Sequence, residues 1–297
     1  MRPILGIHQG APPHWVGNGF PVRTLFRYDR LGDALSPFLV LDHAGPMEFP
    51  PTELPRGVGE HAHRGFETVT LVFEGEIEHR DSTGSGGRVG PGDVQWMTAA
   101  KGIVHQEFHS ADFARRGGTL HVAQLWINLP ARAKMSQAGY QTLPAQQIPT
   151  IQLDDVPGSL RVIAGDYAGN KGPAKTFTPV NVWDVRLPAD ARWSVPIPDS
   201  DTACIAVLGG TIIANHVERV GTDNVVIFAR DRGEIIVDVD ADAHLLVLSG
   251  TPLNEPIAGY GPFVMNTNEE IQQAITDLHR GEFGEVDACS FRSAAHV

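Results

Sequence analysis

Short alternations of apolar and polar residues recur through most of the chain, each bounded by glycine, proline or small polar residues. A period of two is the signature of strands that bury one face. In the first half the pattern predicts strands over residues 23–28, 38–42, 68–73, 76–81, 94–98, 103–108 and 120–129. Glu74-Gly75, the tip Gly84-Ser85-Gly86-Gly87 and the corner Pro91-Gly92-Asp93 supply turns between them, and Pro130 stops the last. Residues 141–149, rich in proline and glutamine, read as a connection. The rhythm resumes from residue 151, with strands predicted over 160–164, 181–187, 204–208, 225–228 and 244–248. One segment breaks the pattern. Thr267-Asn268-Glu269-Glu270 has the form of a capping box, Ile271, Ala274, Ile275 and Leu278 follow at helical spacing, and Gly281 ends the run. A helix is expected near 268–280, and the last dozen residues are expected to form a loose tail. The fold class is therefore all-β, with two barrel-like halves and one short C-terminal helix. The halves divide into residues 1–140 and 141–297, with an open cavity expected only in the first.

Composition supports this reading. Thirty-two glycines and 22 prolines in 297 residues punctuate the chain too often for a helical bundle. The net charge of −12 argues against general affinity for nucleic acid. Cys204 and Cys289 form no CxxC pair, and usage this sparse suits a reducing compartment. Cys204 sits in an apolar run and reads as a small buried hydrophobe. The N-terminus has no sustained apolar stretch and no segment reaches membrane-spanning length, so a cytoplasmic monomer without membrane contact is expected. Phosphate-loop, dinucleotide-loop, nucleophile-elbow and HExxH motifs are absent from the sequence.

Candidate chemistry gathers at two places. His61-Ala62-His63 and His105-Gln106-Glu107 each place two ligand-type residues at i, i+2, on one face of a strand. Two such strands folded together would aim His61, His63, His105 and Glu107 at one point. Three imidazoles and a carboxylate suit iron, copper, nickel, cobalt, manganese or zinc, and the lack of thiolates argues against a closed structural zinc site. Four protein ligands on an octahedral ion leave two positions open. Glu67 shares parity with the first pair and is the rival carboxylate. His109 shares parity with the second and reads as a supporting donor or a core residue. His79 and His121 are assigned no partner at i±2 and read as structural or pocket-lining. The second half has no HxH.

These residues, with their surroundings, resemble the pirin family, two-domain members of the cupin superfamily. The resemblance runs through Asp42-His43-Ala44-Gly45-Pro46-Met47, His61-Ala62-His63-Arg64-Gly65-Phe66-Glu67, Glu78-His79-Arg80-Asp81-Ser82, Pro91-Gly92-Asp93-Val94-Gln95-Trp96 and Gly102-Ile103-Val104-His105-Gln106-Glu107. It continues in Gln124-Leu125-Trp126-Ile127-Asn128 and returns in Pro252-Leu253-Asn254-Glu255-Pro256 and Gly261-Pro262-Phe263-Val264-Met265-Asn266. It implies a bicupin of two stacked antiparallel β-barrels, with one metal, usually iron as Fe(II), in the first barrel only. Its ligands map onto His61, His63, His105 and Glu107, which sets Glu67 aside. One departure is Ala62, where pirins often carry proline. Pirins of bacterial type are similar to quercetin 2,3-dioxygenases, which open the flavonol ring with O₂ and release carbon monoxide; Glu107 is then the candidate base. Vertebrate pirins are iron-dependent partners of transcription regulators, and some bacterial ones bind metabolic enzymes, which makes a redox-sensitive regulator the alternative.

Overall fold

The computed structural model describes residues 1–153 and 156–287. Cys289 and the end of the chain beyond residue 287, most of the expected tail, lie outside the described residues. The predicted strands are present, in sheets joined almost wholly by antiparallel pairing.

The first half is built from two sheets. One has seven strands in the order Gly139–Leu143, Val94–Thr98, Phe66–Glu74, Gly118–Asn128, Phe38–Phe49, Phe20–Arg27 and His14–Val16. The other has four, in the order Gly57–His63, Ile103–His109, Ile77–Asp81 and Gly86–Val89. Ile77 and Val89 of the smaller sheet pack with Val22, Val72, Leu120 and Val122 of the larger, the burial that joins the two layers. Among the described residues neither half closes into a barrel, so the expected barrels are sandwich-like sheets with free edges.

The second half is built on one nine-stranded sheet, with a small separate hairpin of Asp166–Tyr167 and Asn170–Lys171. The large sheet curls because Thr202–Ala214 and Ile235–Gly250 are long and lose register repeatedly between Val207 and Ile212. Residues 204–208 form a continuous apolar run because both faces of this strand are buried. Ile205 and Val207 join Trp183, Val185, Leu245 and Val247 inside the second half. Cys204, Ala206 and Leu208 face the other way, onto Leu25, Leu41, Val69, Leu71, Trp96 and Leu125 of the seven-stranded sheet. Cys204 is thus fully buried, its thiol pushed far up by desolvation, as expected of a packing residue. The interior of the second half is filled, and its clefts, such as one of ≈ 580 Å³ around Arg192, Ile213 and Asp238, lie at the surface.

The two halves exchange their ends. Ile4–Gln9 adds to the second sheet beside Asn224–Phe228, and the buried Arg2 anchors it through Nε to the Ala229 carbonyl at 2.6 Å. Gly139–Leu143, which overlaps the start of the stretch read as a connection, closes the edge of the seven-stranded sheet against Val94–Thr98. At the other end Ala258–Tyr260, Phe263–Met265 and helix Asn268–His279 return to the first half. That helix carries the expected capping box, with Thr267 Oγ1 and Glu270 each satisfying the other's backbone N–H. Three short helices, Tyr28–Leu35, Ala111–Arg116 and Ala131–Lys134, were not expected; at four to eight residues they are too short to show a helical period. No helix among the described residues is long and apolar enough to cross a membrane.

Candidate metal centre

Gly57–His63 and Ile103–His109 are neighbouring strands of the small sheet, with His61 opposite His105 and His63 opposite Ile103. Directly paired residues share a face, and so do residues two apart on one strand. His61, His63 and His105 therefore leave the sheet on the same side, and one side-chain nitrogen of each lies within 4.8 Å of the others. Ring centroids are 4.1 Å apart for His61 and His105, and 4.9 Å for His63 and His105.

Each imidazole has one nitrogen engaged and one open. His61 Nδ1 donates to the Gly59 carbonyl at 2.8 Å. His63 has a backbone hydrogen bond to Pro262, while its buried Nδ1 has no partner. His105 contacts His79 through Nδ1 at 3.3 Å, and its buried Nε2 has no partner. Leaving such a nitrogen unsatisfied costs on the order of 1–3 kcal/mol, so two together fit a bound cation. Desolvation holds His63 and His105 well below the ordinary histidine range, reinforced by neighbouring imidazoles, which keeps them neutral at pH 7 as ligands must be.

Glu107, two residues after His105, is buried and opposite His79. Its carboxylate accepts from Gln124 Nε2 at 3.1 and 3.3 Å and from Thr70 Oγ1 at 3.4 Å, both on the facing sheet. It forms a second close group with His105 and His79, and is not within 4.8 Å of all three histidines at once. Trp126 and Phe66, stacked with centroids 4.2 Å apart, stand beside His63 as an aromatic wall. His61 is only half-buried and marks the more open side.

Glu67 lies apart from these groups. Thr98 Oγ1 donates to it at 2.7 Å, and burial pushes its carboxyl up to about 7. His109 is a core residue, donating through Nε2 to the Gly19 carbonyl and packing among Phe20, Phe49 and Phe113. Sequence reasoning passed over His79, although Asp81 lies at i+2 on the same strand. The HxD spacing is the available signal, distinct from the HxH and HxE pairs that point to the centre.

His121 belongs to a different cluster, between the halves. His43 Nδ1 donates to Asp223 at 2.7 Å and its Nε2 meets His121 Nε2 at 2.8 Å, while His244 Nε2 donates to Asp184 at 2.8 Å. A cleft of ≈ 660 Å³ opens here, lined by His121, His244, Arg186 and Glu74. Burial, then the neighbouring His43 and His244, push His121 down to about 3, and burial also lowers His244. Both sit below their unfolded values, so between about pH 6.5 and pH 3 the unfolded chain binds more protons and stability falls with pH. The urea midpoint should therefore decline on acidification from pH 7.5 to pH 5. His121→Asn should flatten that decline by less than the roughly 1.4 kcal/mol per pH unit of a fully uncoupled group. A slope identical to wild type would remove His121 from the acid response.

The chain matches the model of the pirin domain over residues 19–127 and that of the pirin C-terminal cupin domain over residues 182–284. It is 54% identical over 283 residues to a Pseudomonas aeruginosa protein provisionally named a quercetin 2,3-dioxygenase, covering 95% of this chain and 99% of that one. Human pirin is 35% identical over 264 residues, 87% of each chain. The crystal structure of a quercetin 2,3-dioxygenase from Acinetobacter baumannii superposes with a TM-score of 0.94 at 50% identity, covering 96% of this chain and 99% of that one. The chain belongs to the pirin family, in its two-domain cupin form.

Proposed function

We propose that the protein is a metal-dependent dioxygenase of the quercetin 2,3-dioxygenase type. It would open the central ring of a flavonol with O₂, leaving both oxygen atoms in the ester product and releasing the excised carbon as carbon monoxide. The observation that carries this reading is the set of three converging imidazoles, two of them buried with an unpartnered nitrogen each, with the Glu107 carboxylate two residues beyond His105 on its strand. The names of the relatives support it. His61, His63 and His105, with Glu107 as the fourth donor, would hold one divalent transition ion, Fe(II) foremost. When bound, the ion would acidify the flavonol hydroxyl and bring O₂ and substrate to one place.

The chain's own residues supply the rest. Glu107 would accept the proton of the flavonol 3-hydroxyl, with Gln124 and Thr70 holding its carboxylate in place. Trp126, backed by the buried Phe66 ring, offers a flat apolar surface for an aromatic ligand. Trp126 Nε1 donates to Gln124 Oε1 at 3.3 Å, so wall and base share one hydrogen-bonded frame.

Purified protein should contain about one transition ion per chain by elemental analysis. It should consume O₂ and release carbon monoxide with quercetin or a related flavonol, lose this activity on chelation, and regain it with a divalent metal. His105→Ala should lose most of the metal while keeping a β-type circular dichroism spectrum; full occupancy in that variant would show the ligand set to be wrong. If the metal-loaded wild type consumes no O₂ with any flavonol, the dioxygenase reading fails. An iron-containing regulator that binds a transcription factor or metabolic enzyme then takes its place.

A further inference from the structure

We infer that His79 and Asp81 are positioning residues for His105: the pair fixes which nitrogen of His105 carries a proton, and so which one faces a metal. The inference rests on the metal-binding reading above. Both side chains are almost fully buried, and they leave the same face of the small sheet as His105, where Asp81 pairs with His105 and His79 with Glu107.

The hydrogen bonds run in one direction. Asp81 Oδ1 accepts from Thr83 N at 2.8 Å, Thr83 Oγ1 at 2.6 Å and Ser85 N at 3.2 Å, so it is committed to the hairpin. Oδ2 is left for His79 Nε2 at 3.1 Å, which must donate. The Gln95 amide nitrogen donates to His79 Nδ1 at 2.9 Å, making that nitrogen an acceptor. The 3.3 Å contact between His79 Nδ1 and His105 Nδ1 is then favourable only if His105 carries its proton on Nδ1. The open lone pair of His105 falls on Nε2, its unpartnered buried atom. Tyr140 stacks on the His79 ring at 4.9 Å and 22°, which resists rotation of the imidazole. A carboxylate that orients a ligating imidazole is a common device in metal sites; here a second imidazole stands between them. With both nitrogens engaged, His79 is not itself a ligand, although it lies close enough to His105 and Glu107 to be one.

Asp81→Asn separates this role from a merely structural one. The committed Oδ1 position keeps the amide oxygen, so the amide nitrogen must face His79 Nε2 and donate to it. His79 then carries its proton on Nδ1, the Gln95 amide turns so that its otherwise unpartnered Oε1 accepts there, His105 Nδ1 becomes an acceptor, and the proton of His105 moves to Nε2. The same exchange in a Ser-His-Asp triad preserves geometry while imposing the wrong tautomer. The expected result is an unchanged melting temperature of the metal-free protein with Co²⁺ affinity lowered about 10–100-fold, read by chelator competition. In proton NMR of the Co²⁺ form, the imidazole N–H signals shifted by the ion should fall by one. His79→Asn, whose amide oxygen takes the place of Nδ1, should keep all of those signals. Wild-type affinity and signal count in Asp81→Asn would overturn the inference. So would loss of a signal in His79→Asn, which would make His79 a ligand. A wild-type protein that takes up no Co²⁺ would instead remove the metal reading beneath it.

Discussion

Glu107→Gln is expected to lose at least about 10²-fold in flavonol turnover while retaining its metal, since general-base assistance is typically worth about 10²–10⁴-fold. Glutamine keeps the length of the side chain and an oxygen donor, and that oxygen can still accept from Gln124 Nε2, now at 3.1 Å from the carboxylate. What disappears is the negative charge and the ability to take a proton. Turnover per bound metal under saturating flavonol and O₂ is the measurement that isolates this. Loss of metal in the variant would move Glu107 from the proton transfer to the ligand set alone, and a wild-type rate with metal retained would show that the base lies elsewhere.

The centre was legible because residues two apart on a strand share a face. Ile77–Asp81 and Ile103–His109 bury every second residue, so any ligand-type residue spaced by two falls on the inner face. The sequence places His61 with His63, and His105 with Glu107, on shared faces; only cross-strand pairing puts His61 opposite His105. The same parity held for His79 and Asp81, and only the choice of which residue types to count hid them. The cluster of His43, His121 and His244 could not be read this way, because its members stand on strands far apart in sequence and meet where the halves pack. Residues 204–208 carried a readable sign of that packing, an apolar run without alternation, which marks a strand buried on both faces. The exchange of Ile4–Gln9 into the second sheet had no such sign: a half-buried edge strand reads the same whichever sheet receives it. Gly139–Leu143 was obscured by its neighbours, since glutamine and proline around a five-residue edge strand look like loop composition.

Beside the His63–Pro262 hydrogen bond, a buried ion pair ties the C-terminal return to the centre, and breaking it should cost about 3–5 kcal/mol. Arg64, between His63 and Gly65, donates through Nη1 to Asp277 Oδ2 at 2.7 Å, and the two side chains are only 4% and 7% exposed. Its Nε donates to the Lys101 carbonyl at 2.6 Å, and its guanidinium lies 4.6 Å from the centre of the Phe283 ring. The adjoining backbone is equally constrained. Gly65 has φ of +91°, and a side-chain carbon there would stand 2.0 Å from the Val264 carbonyl oxygen, so glycine alone is tolerated. The buried Lys134 ammonium then bridges the Gly65 and Val264 carbonyls and Asn128. Asp277→Ala would strand a buried guanidinium beside this junction. The Phe283 face would return only about 0.5–2 kcal/mol, too little to offset the loss. Urea unfolding at pH 7.5 should show the drop in stability, and metal affinity should fall with it, because the displaced arginine adjoins His63. Arg64→Met combined with Asp277→Leu should recover much of the stability, since replacing both partners leaves no unpaired charge. An Asp277→Ala protein with the wild-type midpoint would mean that the returning helix is held by its apolar face alone, through Ile271 and Ala274 against Ala62 and Phe263.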